Sequence, residues 1–294
     1  MLKGILILLL AGPVFADEPA QKKAEPTGIA ALAAKLLGEG GGDRLFYYPT
    51  KSAPDLPTKF GIAYEQVNFR SEDGTKLHGW FLRPKRGARI KGVVVFHHGN
   101  AGAMGYHLPF VSWMVKAGYQ VLMYDYRGFG KSEGKLVRKG LVEDTRAAIT
   151  YVRTRKDVDK EKIISYGHSL GGAKSLAGLG AKMIPGVKGV ISFAGFASYQ
   201  DMAKRFAGQA GAGLVTDDFS ARDFVEKIAP VPLLIVHGAK DLTVPPKQGE
   251  ILFQKAKQPK TIFRVPKGGH TRALWMNRGQ YRKRVLVWMD GVLG

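Results

Sequence analysis

The sequence predicts an α/β fold: a mostly parallel sheet, an antiparallel hairpin at one edge, and helices on both faces. Three features carry that prediction. Most of its short apolar runs are continuous rather than alternating, as strands buried on both faces require. Amphipathic stretches lie between them. Near the front, two strand-like runs are joined by a turn signal. The chain has 294 residues and is 45% hydrophobic, with 15 Phe and 4 Trp, which is ample for one large core.

The elements follow in order. Residues 1–16 carry Lys3, an apolar run from Gly4 to Ala11, then G-P-V-F-A, the parts of a secretory signal. The run falls short of the roughly 20 apolar residues a membrane span needs, so a cleaved signal is expected over an anchor, and with it an exported, periplasmic or secreted protein. Residues 17–43 read as a polar linker and a short peripheral helix ended by G-E-G-G-G. The main domain is expected over 44–294. Tyr64–Arg70 and Leu77–Arg83 form the hairpin, with Asp73 and Gly74 in its turn. The buried strands are Gly92–His97, Val121–Asp125, Ile163–Tyr166, Gly189–Phe193, Leu233–His237 and Thr261–Val265. Leu141–Arg153 and Gly249–Lys257 are amphipathic helices between them.

Composition excludes some chemistry. There is no cysteine, so thiol catalysis, disulfides and Cys-ligated metal are ruled out. The balance of 45 Lys and Arg against 24 Asp and Glu gives +21, which favours anionic surfaces or substrates. The basic residues are scattered, with no basic arm, RNP pattern or zinc finger, so nucleic acid is not the expected partner. An anionic lipid or other envelope surface fits an exported protein better.

Chemistry enters at S-Y-G-H-S-L-G-G, residues 165–172. Ile163–Gly167 is a strand and Leu170 begins a helix of small residues, so Ser169 stands at a strand-to-helix corner. Gly167 and Gly171 leave space there that a Cβ would fill. Such a corner projects a nucleophilic hydroxyl above the sheet, and the helix start aims free N–H groups at the site. A plain tight turn with a capping serine is the alternative.

A serine hydroxyl needs a base and an orienting acid, in the chain order Ser, acid, His for this kind of corner. Only His237 and His270 follow Ser169. His237 closes a strand and reads as structural, whereas His270 lies in a loop after the last strand, V-P-K-G-G-H-T. Asp241 follows the preceding strand; Asp201, Asp223 and Glu226 read better as solvated or capping groups. For the oxyanion, the F-H-H-G-N-A-G turn offers the amide of Asn100, joined by that of Leu170. His97 and His98 read as loop supports, and neither a metal nor an organic cofactor is expected.

With these residues assembled, the chain resembles the α/β-hydrolase superfamily, and within it the abhydrolase-domain and monoacylglycerol-lipase-like esterases often labelled serine aminopeptidase-type. L-H-G-W-F-L-R-P (77–84), H-H-G-N-A-G (97–102), Y-D-Y-R-G-F-G-K-S-E-G (124–134), G-H-S-L-G-G (167–172), H-G-A-K-D-L-T-V-P (237–245) and G-G-H (268–270) carry the resemblance. It implies the α/β-hydrolase fold from about Leu45 onward. Asp125, Arg127 and Gly128 would brace the site rather than react. Where relatives often insert a large lid, residues 197–230 are short and contain A-G-Q-A-G-A-G, which implies a small flexible cap and a pocket for short or protruding acyl groups.

The expected activity is ester hydrolysis through an acyl-enzyme on Ser169, with His270 moving the proton and Asp241 orienting it. A peptidase, thioesterase or lysophospholipase could use the same triad. A non-catalytic basic module adhering to an anionic envelope is the third reading. Lys240 and Arg272, beside triad members, point to small anionic ester substrates.

Overall fold

The computed structural model describes residues 46–52 and 56–294. The expected signal at 1–16 and the linker and helix at 17–43 lie outside the described residues. Two compact units emerge: Phe46–Ala197 with Phe219–Gly294, and, separately, a unit whose described part is Ser198–Asp218.

The larger unit opens with β1 (Tyr48–Pro49), then the hairpin β2 (Ala63–Arg70) and β3 (Lys76–Arg83). Asp73 Oδ1 accepts the Thr75 amide at 3.1 Å in the turn, as the D-G signal anticipates. Next come β4 (Gly92–His97), β5 (Ala101–Gly102), α1 (Ser112–Lys116), β6 (Tyr119–Tyr124) and α2 (Arg138–Thr154). β7 (Ile163–His168) leads into α3 (Leu170–Ala181), and β8 (Val187–Phe193) follows. The smaller unit supplies α4 (Tyr199–Gly213). The chain then completes β9 (Leu233–Gly238), α5 (Pro246–Lys255), β10 (Lys260–Val265) and α6 (Met276–Leu293).

Among the described residues, eight strands form one sheet in the order β10-β9-β8-β7-β4-β6-β3-β2. Pairing is parallel from β10 to β6, and β3 joins β6 and β2 antiparallel, so the hairpin forms one edge as predicted. β4, β6, β7 and β9 are buried at every position, which is why their sequences run apolar without alternation.

Each face has its own helices. Val94, Phe96, Ile164, Tyr166, Ile191, Phe193, Leu234 and Val236 share a core with Met114 and Val115 of α1 and with Val285 and Met289 of α6. Alternate residues point the other way, where α3 packs on β7, β8 and β4, and α2 on β2, β4 and β6. α3 contains Gly171, Gly172, Gly178 and Gly180, each worth about 1 kcal/mol less than alanine in a helix. Burial overrides that propensity, because small residues let the helix lie close to the sheet. A Cβ on Gly172, for example, would sit 2.6 Å from Ser192 Oγ on β8.

In the smaller unit, Ser198 Oγ accepts the Asp201 amide at 3.0 Å and donates to Asp217 at 2.8 Å, which fixes the start of α4. The A-G-Q-A-G-A-G run, expected to be flexible, is helical here except for non-helical backbone at Ala207 and Gly208. The cap serine and the alanines supply the helical preference that its glycines lack.

Candidate active site

The strand order reverses at β4. From β4 the chain passes to β6 on one side, and later to β7 on the other. Such a switch point opens a crevice at the carboxyl ends of the two strands. The loop after β4 and the corner after β7 both end there.

Ser169 occupies the corner with φ 55° and ψ −116°, a conformation that costs a non-glycine residue about 1–3 kcal/mol. The neighbouring glycines make the path possible. A Cβ on Gly167 would lie 2.2 Å from the Gly171 carbonyl oxygen, and one on Gly171 would lie 1.9 Å from that of His97. The Ser169 amide donates to the Phe193 carbonyl at 2.8 Å, tying the corner to β8.

His270 and Asp241 come from the loops after β10 and β9. The Lys240 amide donates to the Gly268 carbonyl at 2.9 Å, and the Ala239 amide to Val265 at 2.9 Å, so the two loops are stitched together. His270 Nδ1 stands 2.8 Å from Asp241 Oδ2, and its Nε2 stands 3.0 Å from Ser169 Oγ. An ionised carboxylate only accepts, so Nδ1 carries the proton and Nε2 presents a lone pair to the hydroxyl. Asp241 Oδ1 accepts the amides of Thr243 at 2.9 Å and Val244 at 2.8 Å. Burial pushes the Asp241 carboxyl up, but His237, His270 and the Val244 amide outweigh it and hold it well below the carboxylate range.

Other predicted residues fall elsewhere. His237 lies 3.5 Å from Asp241 Oδ2 and 3.0 Å from the Val244 carbonyl, so it braces the acid. Asp223 is 3.9 Å from Arg222, and Glu226 3.8 Å from Lys257. His97 bridges Tyr124 and Ser165, at 2.9 Å each, beneath the site. Burial, then its neighbour His98, lowers its imidazole to about 3. His168 stacks on Phe110 at 4.2 Å and lies 5.1 Å from the His270 ring; burial pushes it well down, making it a weak base.

The Asn100 side chain turns from the crevice and donates to the Phe46 carbonyl at 3.0 Å. Its backbone lies in the turn beside the nucleophile: a Cβ on the adjacent Gly99 would come within 3.8 Å of Ser169 Cβ. Leu170 is the first residue of α3, where helical amides lack intrahelical partners. Among the described residues no group of three or more His, Asp or Glu is arranged to hold a metal ion.

The brace residues are built in. Asp125 Oδ1 accepts the Met104 amide at 2.7 Å. Arg127 is buried against Asp144 at 2.8 Å and also reaches Asp73 at 2.7 Å. Sequence reasoning missed the partner of Arg127 on α2, the second imidazole on Asp241 and the strand β1. Asp144 lies in L-V-E-D-T-R on the inward face of its helix, and that position was the available signal.

The chain resembles known proteins over most of its length. A family model described as "Serine aminopeptidase, S33" matches residues 88–216. The uncharacterized protein YfhR of Escherichia coli O157:H7 is 37% identical over 254 residues, covering 84% of this chain and 87% of the relative. The alpha/beta hydrolase domain-containing protein WAV2 of Arabidopsis thaliana is 32% identical over 286 residues, 90% of each chain. Among solved structures, an esterase of Pyrococcus furiosus superimposes with a TM-score of 0.72 at 18% identity, covering 85% of this chain and 99% of that one. That last likeness is one of fold.

Proposed function

This chain belongs to the α/β-hydrolase superfamily, and from that premise we propose that it is a serine hydrolase cleaving carboxylic esters through an acyl-enzyme on Ser169. One observation carries the reading: the Ser169 hydroxyl lies 3.0 Å from an imidazole whose far nitrogen meets a buried carboxylate.

The chemistry follows from that geometry. Ser169 Oγ attacks the ester carbonyl while His270 Nε2 takes its proton. The tetrahedral oxyanion is held by the backbone amides of Asn100 and Leu170, each such donor worth about 3 kcal/mol of transition-state stabilisation. Collapse expels the alcohol, which receives the proton from His270. Water then repeats the sequence on the acyl-serine and regenerates the enzyme. Asp241 keeps Nδ1 protonated and stabilises the imidazolium of each half-reaction.

Lys240 and Arg272 are exposed beside Asp241 and His270, which favours esters that carry negative charge. The net charge of +21 likewise favours an anionic envelope surface as a partner, in keeping with export. A peptide bond is the second candidate, favoured by the serine aminopeptidase description of the matching family model.

Hydrolysis of short p-nitrophenyl esters by wild type and by Ser169→Ala tests the reading. Turnover by wild type that falls to background in the folded variant supports it; equal turnover in both overturns it.

A further inference from the structure

The turn proposed to carry one oxyanion amide is held in an unusual way. Its four successive carbonyls are all engaged. Gly99 O lies 2.7 Å from His98 Nδ1, and Ala101 O lies 3.0 Å from His107 Nε2. The other two are taken by a short strand from the front of the chain: the Tyr48 amide donates to Asn100 O at 2.8 Å and the Thr50 amide to Gly102 O at 3.2 Å. That strand, β1, pairs parallel with β5 outside the main sheet. The Asn100 side chain completes the grip through its 3.0 Å bond to the Phe46 carbonyl.

The residues just after this strand reach a second loop. Thr50 O accepts the Gly130 amide at 2.9 Å, and Lys51 Nζ donates to Gly128 O at 3.2 Å. β1 and the two residues after it therefore strap the turn after β4 to the loop after β6.

Resting on the hydrolase reading above, we propose that Phe46–Thr50 is a positioning strap for the oxyanion turn, acting through the Tyr48 amide and the Asn100 side chain. Peptide groups are planar, so fixing a carbonyl fixes the N–H of the next residue in the same plane. His98 sets the plane that contains the Asn100 N–H. The strap sets the plane on the other side of Asn100 and anchors its side chain, so rotation about that residue is blocked at both ends. A donor left free to swing must be ordered in every turnover, and small misplacement of a catalytic group is enough to slow chemistry markedly. The strap touches no reacting atom, so its loss reduces kcat while substrate affinity stays.

Two variants of the full chain test this. Tyr48→Pro removes the donating amide, and Tyr48→Ala removes the half-exposed ring while keeping the amide. The expected result is a kcat for Tyr48→Pro about tenfold below that of Tyr48→Ala, with KM within about twofold. Asn100→Leu is close in size and neutral but cannot donate to Phe46 O, and decides the matter if the proline variant does not fold. Its kcat should also drop about tenfold at matched KM. Wild-type-like kcat in Asn100→Leu, or equal kcat in the two Tyr48 variants, overturns the strap. A wild type without esterase activity overturns the ester reading on which the strap rests, so the two failures are told apart.

Discussion

Asp241 and His270 meet at 2.8 Å between Oδ2 and Nδ1, although they leave different strands of the sheet. The carboxylate has no proton to give, so the contact selects the tautomer in which Nε2 is free to accept from Ser169. Asp241→Asn can donate from its amide nitrogen and favours the opposite tautomer. The expected outcome is a loss of about 10⁴ in kcat with KM and melting temperature little changed. Steady-state kinetics on a p-nitrophenyl ester checks it; a loss under about tenfold contradicts the assigned role.

The corner at Ser169 depends on missing side chains. Gly171→Ala places a methyl 1.9 Å from the His97 carbonyl oxygen, which is backbone and cannot rotate aside. Either the corner or β4 must shift. The variant should lose about 1–3 kcal/mol or more of stability and nearly all activity. Urea unfolding with a parallel activity assay reads both; an active, equally stable protein refutes the packing argument.

Arg127 and Asp144 form a buried pair, 4% and 0% exposed at their side chains. Removing one partner strands a charge in the interior. Arg127→Leu should cost about 3–5 kcal/mol. Turnover per folded molecule should fall far less than in Ser169→Ala, because the guanidinium braces the loop after β6 without reaching the triad. Thermal melts and active-site titration separate the two effects, and a stable but inactive variant would place Arg127 in the chemistry.

Acid stability has a defined window. Hydrogen bonds from Arg127 and Arg155 lower Asp73 and Asp157 from 3.8 to about 2 in the folded protein. A depressed carboxyl stabilises the fold above its unfolded pKa and stops doing so as pH falls through the folded one. The contribution is therefore complete above about pH 4 and disappears towards pH 2. Melting temperature should fall across that interval, less steeply in Asp157→Asn. An identical slope in the variant would remove Asp157 from the account.

Much of this was legible in the sequence because burial writes simple patterns. β4, predicted as Gly92–His97, has those bounds in the structure, since a strand sealed on both faces shows an uninterrupted apolar run. β7 runs on to His168, past the Tyr166 or Gly167 where the apolar pattern ends, because the polar histidine is buried by stacking on Phe110. Ser169, Asp241 and His270 could be named because a strand end or a glycine turn marks each one. β1 could not: Tyr48–Pro49 is two residues long, half of it proline, and gains its identity only from a partner more than fifty positions away. The kinked start of α6 was equally silent, since Asn277 and Arg278 adopt positive φ that no local motif announces.

The hydrolase reading requires Ser169 to be a nucleophile activated by His270. Labelling the intact protein with a fluorophosphonate, followed by mass mapping of the adduct, probes that chemistry at the reacting oxygen. A single adduct on Ser169, formed far more slowly in His270→Ala, is the expected result. No adduct, or one that persists in Ser169→Ala, overturns the reading.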